Sequence, residues 1–104
     1  MMEKAQTVVI YDVPNTRIRT KLAEACLDAG LDRIQFSAFR GMLTATQRKE
    51  LTCRLKALLE DGVSGRLFVL PLCAEDWKHA VAVERGDASV LAPHKPTSDT
   101  ILRF

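Results

Sequence analysis

Apolar and polar positions alternate with a period of two through TVVIYD (7–12). Val8 and Ile10 fall on one side and Val9 and Tyr11 on the other, and this β-branched run predicts a first strand. Pro14 and Asn15 supply a turn and a helix start. Ile18, Leu22, Ala25, Cys26 and Ala29 then recur at helical spacing as far as Gly30, which predicts a helix over about 16–29 closed by a left-handed glycine. Period two returns in RIQFSAF (33–39), where Ile34, Phe36 and Ala38 oppose Arg33, Gln35, Ser37 and Phe39. Leu31 to Leu43 is strand-like throughout and must hold two short strands or one long kinked strand, with Gly41 an expected irregularity. Thr44 opens a second helix whose Leu51, Leu55, Leu58 and Leu59 share a face until Asp61 and Gly62 end it. RLFVLPLC (66–73) is the last strong strand.

The order βαββαβ, with right-handed crossovers, predicts an α+β fold. It is the ferredoxin-like plait, a four-stranded antiparallel sheet with both helices on one face. Residues 1–74 would form this domain and 75–104 an extension to it. Strands one and four are apolar on both sides, with Leu67 and Val69 opposing Phe68, Leu70 and Leu72 in the latter. The face without helices would therefore show water a contiguous apolar patch, and a second copy of the sheet is the simplest cover. A homodimer packed sheet to sheet is expected.

A length of 104 residues suits one domain with a small core. No apolar stretch is long enough to span a bilayer, and MMEKAQ has no signal-like hydrophobic region, so a cytoplasmic protein without membrane contact is expected. Cys26, Cys53 and Cys73 are odd in number and set far apart among apolar residues, which predicts buried reduced thiols rather than disulfides or a zinc site. The net charge is only +2, but it is unevenly spread. Arg17, Arg19 and Lys21 follow Asp12 closely, and Arg40, Arg48, Lys49, Arg54 and Lys56 face one acid, Glu50, between positions 40 and 56. Such clusters predict a basic surface suited to a polyanion, with Arg17, Arg40 and Arg48 among its members; two helices that simply show lysine and arginine to water are the alternative.

Alternation places Asp12, at the end of strand one, on the side of Val8 and Ile10. In a sheet-to-sheet dimer two such carboxylates approach across the axis and need a cation. Mg²⁺ takes one or two carboxylates and keeps its other positions for water and phosphate oxygen. An Asp after a strand is otherwise a turn or cap residue.

VVIYDVPNTRIRTKLAEACLDAGLDRIQFSAFRGML resembles the N-terminal half of the CRISPR-associated Cas-two family, small dimeric proteins associated with metal-dependent cleavage of RNA or DNA. The strand-end Tyr-Asp pair, the basic first helix and the GLDRIQ-x-S-x-F run agree in order and spacing, and FVLPLC is similar to the family's fourth strand. The resemblance implies that Asp12 is the metal-binding carboxylate, with Tyr11 beside it. It implies that Arg19, Arg33, Ser37 and Phe39 lie near the active site, and that Lys21 stands where some members have arginine. Lysine keeps that charge but loses the bidentate fork. The implied activity is Mg²⁺-dependent hydrolysis, with Mn²⁺ as a substitute, of single-stranded RNA or duplex DNA. Arg19 and Arg33 would stabilise charge on the phosphoryl group. The implied partner is the Cas-one integrase, in spacer acquisition. A non-catalytic dimeric scaffold that holds DNA for the integrase, and more remotely a toxin-like ribonuclease or a ligand-sensing module on the same plait, are the alternatives. A C-terminal strand that crosses to the partner protomer is also implied. TILRF (100–104) is the first candidate and AVAVE (80–84) the second, with APHKPTSD as a linker. Trp77 is expected against that last strand, and neither His79 nor His94 as a ligand.

Overall fold

Burial alternates along the central strand, β1 (Lys4–Asp12), with Thr7, Val9 and Tyr11 buried and Ile10 and Asp12 exposed. The structure is a computed structural model, and it describes residues 3–60, 62–85 and 101–103. Asn15 caps α1 (Thr16–Asp28), its Oδ1 accepting from the Ile18 amide at 3.0 Å, and Gly30 follows at φ 90°. The strand-like stretch divides into β2 (Asp32–Gln35) and β3 (Ala38–Thr44), with the turn at Phe36 and Ser37. Thr44 then opens α2 (Ala45–Leu58) in a reciprocal cap. Its hydroxyl accepts from the Gln47 amide at 3.1 Å, and the Gln47 side chain accepts from the Thr44 amide at 2.9 Å. β4 (Arg66–Leu72) completes an antiparallel sheet of order β2-β3-β1-β4. This is the expected plait.

Both helices lie on one face. Val9, Tyr11, Leu22, Ala25, Cys26, Phe39, Leu43, Leu51 and Leu55 form the core between them and the sheet. Gly41 is not the irregularity. It sits inside β3 opposite Thr7, and a Cβ there would come within 2.7 Å of Leu31 Cδ2, so the position needs glycine for close packing. The irregularity is a bulge between Arg33 and Gln35.

The other face carries Ile10, Met42, Phe68 and Leu70, which are 41%, 47%, 50% and 40% exposed. Part of it is covered by a helix that hydrophobic periodicity does not reveal. α3 (Ala74–Lys78) follows β4 directly, capped by Cys73, whose Sγ accepts from the Asp76 amide at 3.4 Å, and it lies against β1. The Arg40 guanidinium stands 5.0 Å from the centre of the Trp77 ring. Both candidate C-terminal segments contain strands. β5 (Ala82–Glu84) and β6 (Ile101–Arg103) pair in parallel with each other, apart from the main sheet. The linker 92–99 and His94 lie outside the described residues.

Candidate nucleic-acid interface

The polar groups singled out in the sequence gather at the end of the sheet where β1 stops, but on two different faces. Asp12 shares the open face with Ile10. Its cross-strand neighbour in β4 is Arg66, next to Phe68 opposite Ile10. It is exposed, as a carboxylate that takes a ligand from outside must be. Gly65 fixes the backbone there. At φ 140° its missing Cβ would fall 2.7 Å from the Asp12 carbonyl oxygen, so only glycine lets β4 begin this close to the end of β1. The Ser-Gly pair before β4 was the available signal for that position, and sequence reasoning passed over it.

Tyr11, one residue earlier, points the opposite way. It lines a cleft of about 410 Å³ with Val13, Thr16, Arg19, Thr20, Arg33, Phe36 and Ser37. Asp12 is not in this lining. The bulge in β2 sets Arg33 opposite Phe39, on the helix side, and the Arg33 guanidinium lies 5.0 Å from the centre of the Phe39 ring. The Phe39 ring in turn stacks on Tyr11, with centroids 6.2 Å apart. Arg33 Nε is buried and has no hydrogen-bond partner. On the facing helix, Arg19 Nη2 donates to Thr16 Oγ1 at 3.1 Å. Burial raises the Tyr11 phenol above its ordinary pKa of 10.0, and hydrogen bonding and charge from Arg33 partly oppose this. The β2–β3 turn is tied to β1 by two bonds. The Tyr11 amide donates to the Ser37 carbonyl at 3.0 Å, and the Tyr11 hydroxyl donates to the Phe36 carbonyl at 3.4 Å.

The expected site is thus partly assembled and partly divided. Arg19, Arg33 and Ser37 meet in one cleft. Phe39 does not join them as a contact residue: it is fully buried beneath Arg33 and acts by supporting it. Arg17 is exposed on α1 and Lys21 half-buried, and neither lines the cleft. Arg40 is not a surface cation. It is 7% exposed, beneath Trp77 and opposite Asp32, because its position in β3 turns it to the open face that α3 covers. Arg48 lies elsewhere, in a groove of about 650 Å³ between α2 and β4, with Lys49, Thr52 and Lys56 over a floor of Leu59, Leu67 and Val69.

No group of three or more His, Cys, Asp or Glu side chains that could hold a metal occurs among the described residues. What the end of β1 offers is one exposed carboxylate, that of Asp12. That donor fits half of a Mg²⁺ site, since this ion accepts one or two carboxylates and otherwise keeps water. Only Cys26 is the buried thiol expected, and burial pushes its pKa up to about 12. Cys53 and Cys73 are exposed, the former on the outward side of α2 and the latter at the α3 cap. His79 pairs with Glu75 at 3.0 Å, one turn apart on the surface. No helix among the described residues is long and apolar enough to cross a membrane.

An antiparallel plait with both helices on one face, a strand-end carboxylate on the other and an arginine-lined cleft behind it defines a ferredoxin-like domain with its polar chemistry at one end of the sheet. The chain belongs to the CRISPR-associated Cas2 family: residues 5–80 match the family described as CRISPR associated protein Cas2. The match takes in α3 and stops before β5. A relative named CRISPR-associated endoribonuclease Cas2 2, from Chloroflexus aurantiacus, is 53% identical over 55 residues, which is 49% of this chain and 65% of that protein. A CRISPR-associated endoribonuclease Cas2 from Korarchaeum cryptofilum is 37% identical over 81 residues, covering 78% of this chain and 86% of the relative. Among solved structures, the hypothetical protein TT1823 from Thermus thermophilus superposes with a TM-score of 0.61 at 31% identity, over 68% of this chain and 84% of that one.

Proposed function

We propose that this chain forms a homodimer that hydrolyses phosphodiester bonds of RNA with the help of Mg²⁺. We further propose that it serves CRISPR spacer acquisition beside the Cas-one integrase. The observation that carries the catalytic part is the position of Asp12, exposed at the end of β1 on the same face as Ile10 and Phe68. A second copy laid on that apolar face brings two such carboxylates towards one axis. α3 and Trp77 already cover Arg40, so the partner's share is the part of the face around Ile10, Phe68 and Leu70. The endoribonuclease names of the relatives support the reaction class.

In the dimer the paired Asp12 carboxylates would hold the ion, and Arg66, opposite Asp12 in β4, would set a positive charge beside the approaching phosphate. Bound there, Mg²⁺ supplies charge neutralisation on the phosphate and a water of lowered pKa. Gly65 keeps the carboxylate at its place by admitting β4 against the Asp12 backbone. The exposed and half-buried cations of α1 and α2, Arg17, Lys21 and Arg48, hold the nucleic-acid backbone and make binding depend on salt. DNA cleavage belongs to the same proposal, since the arrangement does not discriminate at the reacting phosphate.

A scaffold that holds DNA without cleaving it is the second reading. It is favoured by one feature: Arg19 and Arg33 lie off the Asp12 face, so backbone grip does not depend on the carboxylate. Asp12→Asn decides between them. It keeps the shape and removes two like charges from the dimer, so folding and dimerisation persist. With Mg²⁺ or Mn²⁺ and single-stranded RNA or duplex DNA, hydrolysis falls by orders of magnitude while binding persists or tightens. Cleavage by Asp12→Asn at the parent rate rules out the catalytic reading. A parent that cleaves nothing, with a variant that still supports integration, establishes the scaffold.

A further inference from the structure

We propose that the helix-side cleft is a nucleotide subsite for single-stranded nucleic acid, in which Arg19 and Arg33 hold a non-scissile phosphate and Phe36 stacks the adjoining base. The inference rests on the nucleic-acid reading above but not on cleavage.

The lining residues, Tyr11, Val13, Thr16, Arg19, Thr20, Arg33, Phe36 and Ser37, include two guanidinium groups and no carboxylate. Such a set offers charged donors, and hydroxyls able to donate, to an anion with several acceptor oxygens. The planar fork of arginine matches phosphate geometry. Arg33 is built for this. Its guanidinium is fixed over the Phe39 ring at 5.0 Å, and its Nε is buried with an unused proton. Arg19 reaches the cleft from the first turn of α1, oriented by its bond to Thr16 at 3.1 Å.

Phe36 completes the subsite. It is 66% exposed, the largest such value among the described residues' exposed aromatics, and it lines the same cleft as both arginines. Leaving a phenylalanine in water at the tip of a two-residue turn gains nothing for folding. Yet the turn is held firmly, by the bonds from the Tyr11 hydroxyl and amide to the Phe36 and Ser37 carbonyls. A rigidly held, exposed ring beside a phosphate site is what an unpaired base requires. Stacking tolerates any base, but it needs a free π-face that a duplex does not present. The aromatic that the sequence pointed to, Phe39, is buried, and the one left available is Phe36. Since Asp12 lies on the opposite face, a phosphate held here is not one that stands beside that carboxylate.

The test is equilibrium binding of a short fluorescein-labelled single-stranded RNA, with single-stranded and duplex DNA of the same sequence, followed by anisotropy in EDTA. The parent is expected to bind the single strands. Phe36→Ala is expected to weaken single-strand binding roughly tenfold while leaving duplex affinity within about twofold. Its exposed position spares the fold. Arg33→Gln is expected to lower the salt dependence by about one released counterion, and Arg33→Lys to restore the slope but not the full affinity. Single-strand affinity unchanged in Phe36→Ala, or a parent that binds no single strand, overturns the subsite. Because the assay contains no metal, it stands whether or not the chain proves to be a nuclease. Loss of cleavage in Asp12→Asn leaves it untouched.

Discussion

The two faces of the sheet are made by the same four strands with the same alternation, yet they are put to different ends. On the helix side Val9, Tyr11, Phe39 and Leu43 are almost wholly removed from water, and even a charged residue, Arg33, is drawn in and laid on an aromatic ring. On the open side residues as apolar as these, Ile10, Met42, Phe68 and Leu70, keep two fifths to half of their surface exposed. Apolar content therefore does not say which face is the core. The helices decide, because α1 and α2 bring Leu22, Cys26, Leu51 and Leu55 to one side only. The open face is left to a short helix and to whatever docks on it. The proposed chemistry follows the same division, with the Asp12 carboxylate on the exposed face and the arginine cleft on the face that the helices cover.

The strongest way to break this comparison is to remove equivalent rings from the two faces. Phe39→Ala deletes a fully buried side chain beneath α1 and between Tyr11 and Arg33, and should cost about 3–5 kcal/mol in urea unfolding, enough to threaten a domain of this size. It should also free Arg33 and so weaken nucleic-acid binding wherever enough folded protein remains. Phe68→Glu changes a ring that is half exposed on the open face. Its effect on the unfolding of the isolated chain should stay near or below about 1 kcal/mol. Sedimentation, however, should show the dimer replaced by a chain of monomer mass, because a carboxylate is set into the apolar patch next to Asp12. Equal destabilisation by the two substitutions would make the open face a second core and remove the ground for a sheet-to-sheet dimer.

Much of this division could be read in the chain, and the parts that could not have physical causes. Parity alone put Asp12 with Val8 and Ile10, because β1 is regular from Lys4 to Asp12. Asn15, Gly30 and Thr44 marked the helix ends through capping chemistry. The β2–β3 turn was hidden because Phe36 and Ser37 carry no glycine, proline or asparagine to announce it, and an apolar residue at a turn looks like one more strand position. The bulge between Arg33 and Gln35 was hidden too, although period two had already put Arg33 and Phe39 on one side, and the structure pairs them across the two strands. α3 is too short for a period, and its cap is a cysteine rather than a serine or aspartate. Without α3 nothing in the sequence marks Arg40 as covered, since charge counts carry no information about faces. The cysteines show the same limit. Cys26 and Cys73 have apolar residues on both sides along the chain, but only Cys26 falls on a buried helical stripe.

That last contrast yields the smallest and sharpest effect. The Cys26 thiol is completely buried on the helix side, and burial lifts its pKa from the ordinary 9.0 to about 12, opposed only in part by the charges of Arg33 and Arg54. Below pH 9 the folded and unfolded chains both keep this proton, and its contribution to stability is complete. Above pH 9 the unfolded chain releases the proton while the native chain retains it, so the unfolded state binds fewer protons and stability falls as pH rises, until the folded thiol also titrates near 12. The slope from this one group is at most about 1.4 kcal/mol per pH unit. Tyr11, also raised, steepens the decline above its ordinary 10.0. Urea midpoints measured from pH 7 to 10 should therefore be flat to about 9 and then decline. Cys26→Ala should remove the part of the decline that begins at 9, whatever it does to stability at neutral pH. A native thiol assay gives the same contrast without unfolding: a maleimide should modify Cys53 and Cys73 readily and reach Cys26 only when urea opens the core. Rapid labelling of Cys26 in the folded chain would mean that the helix-side face opens as freely as the other, and the comparison between the faces would fail at its most buried point.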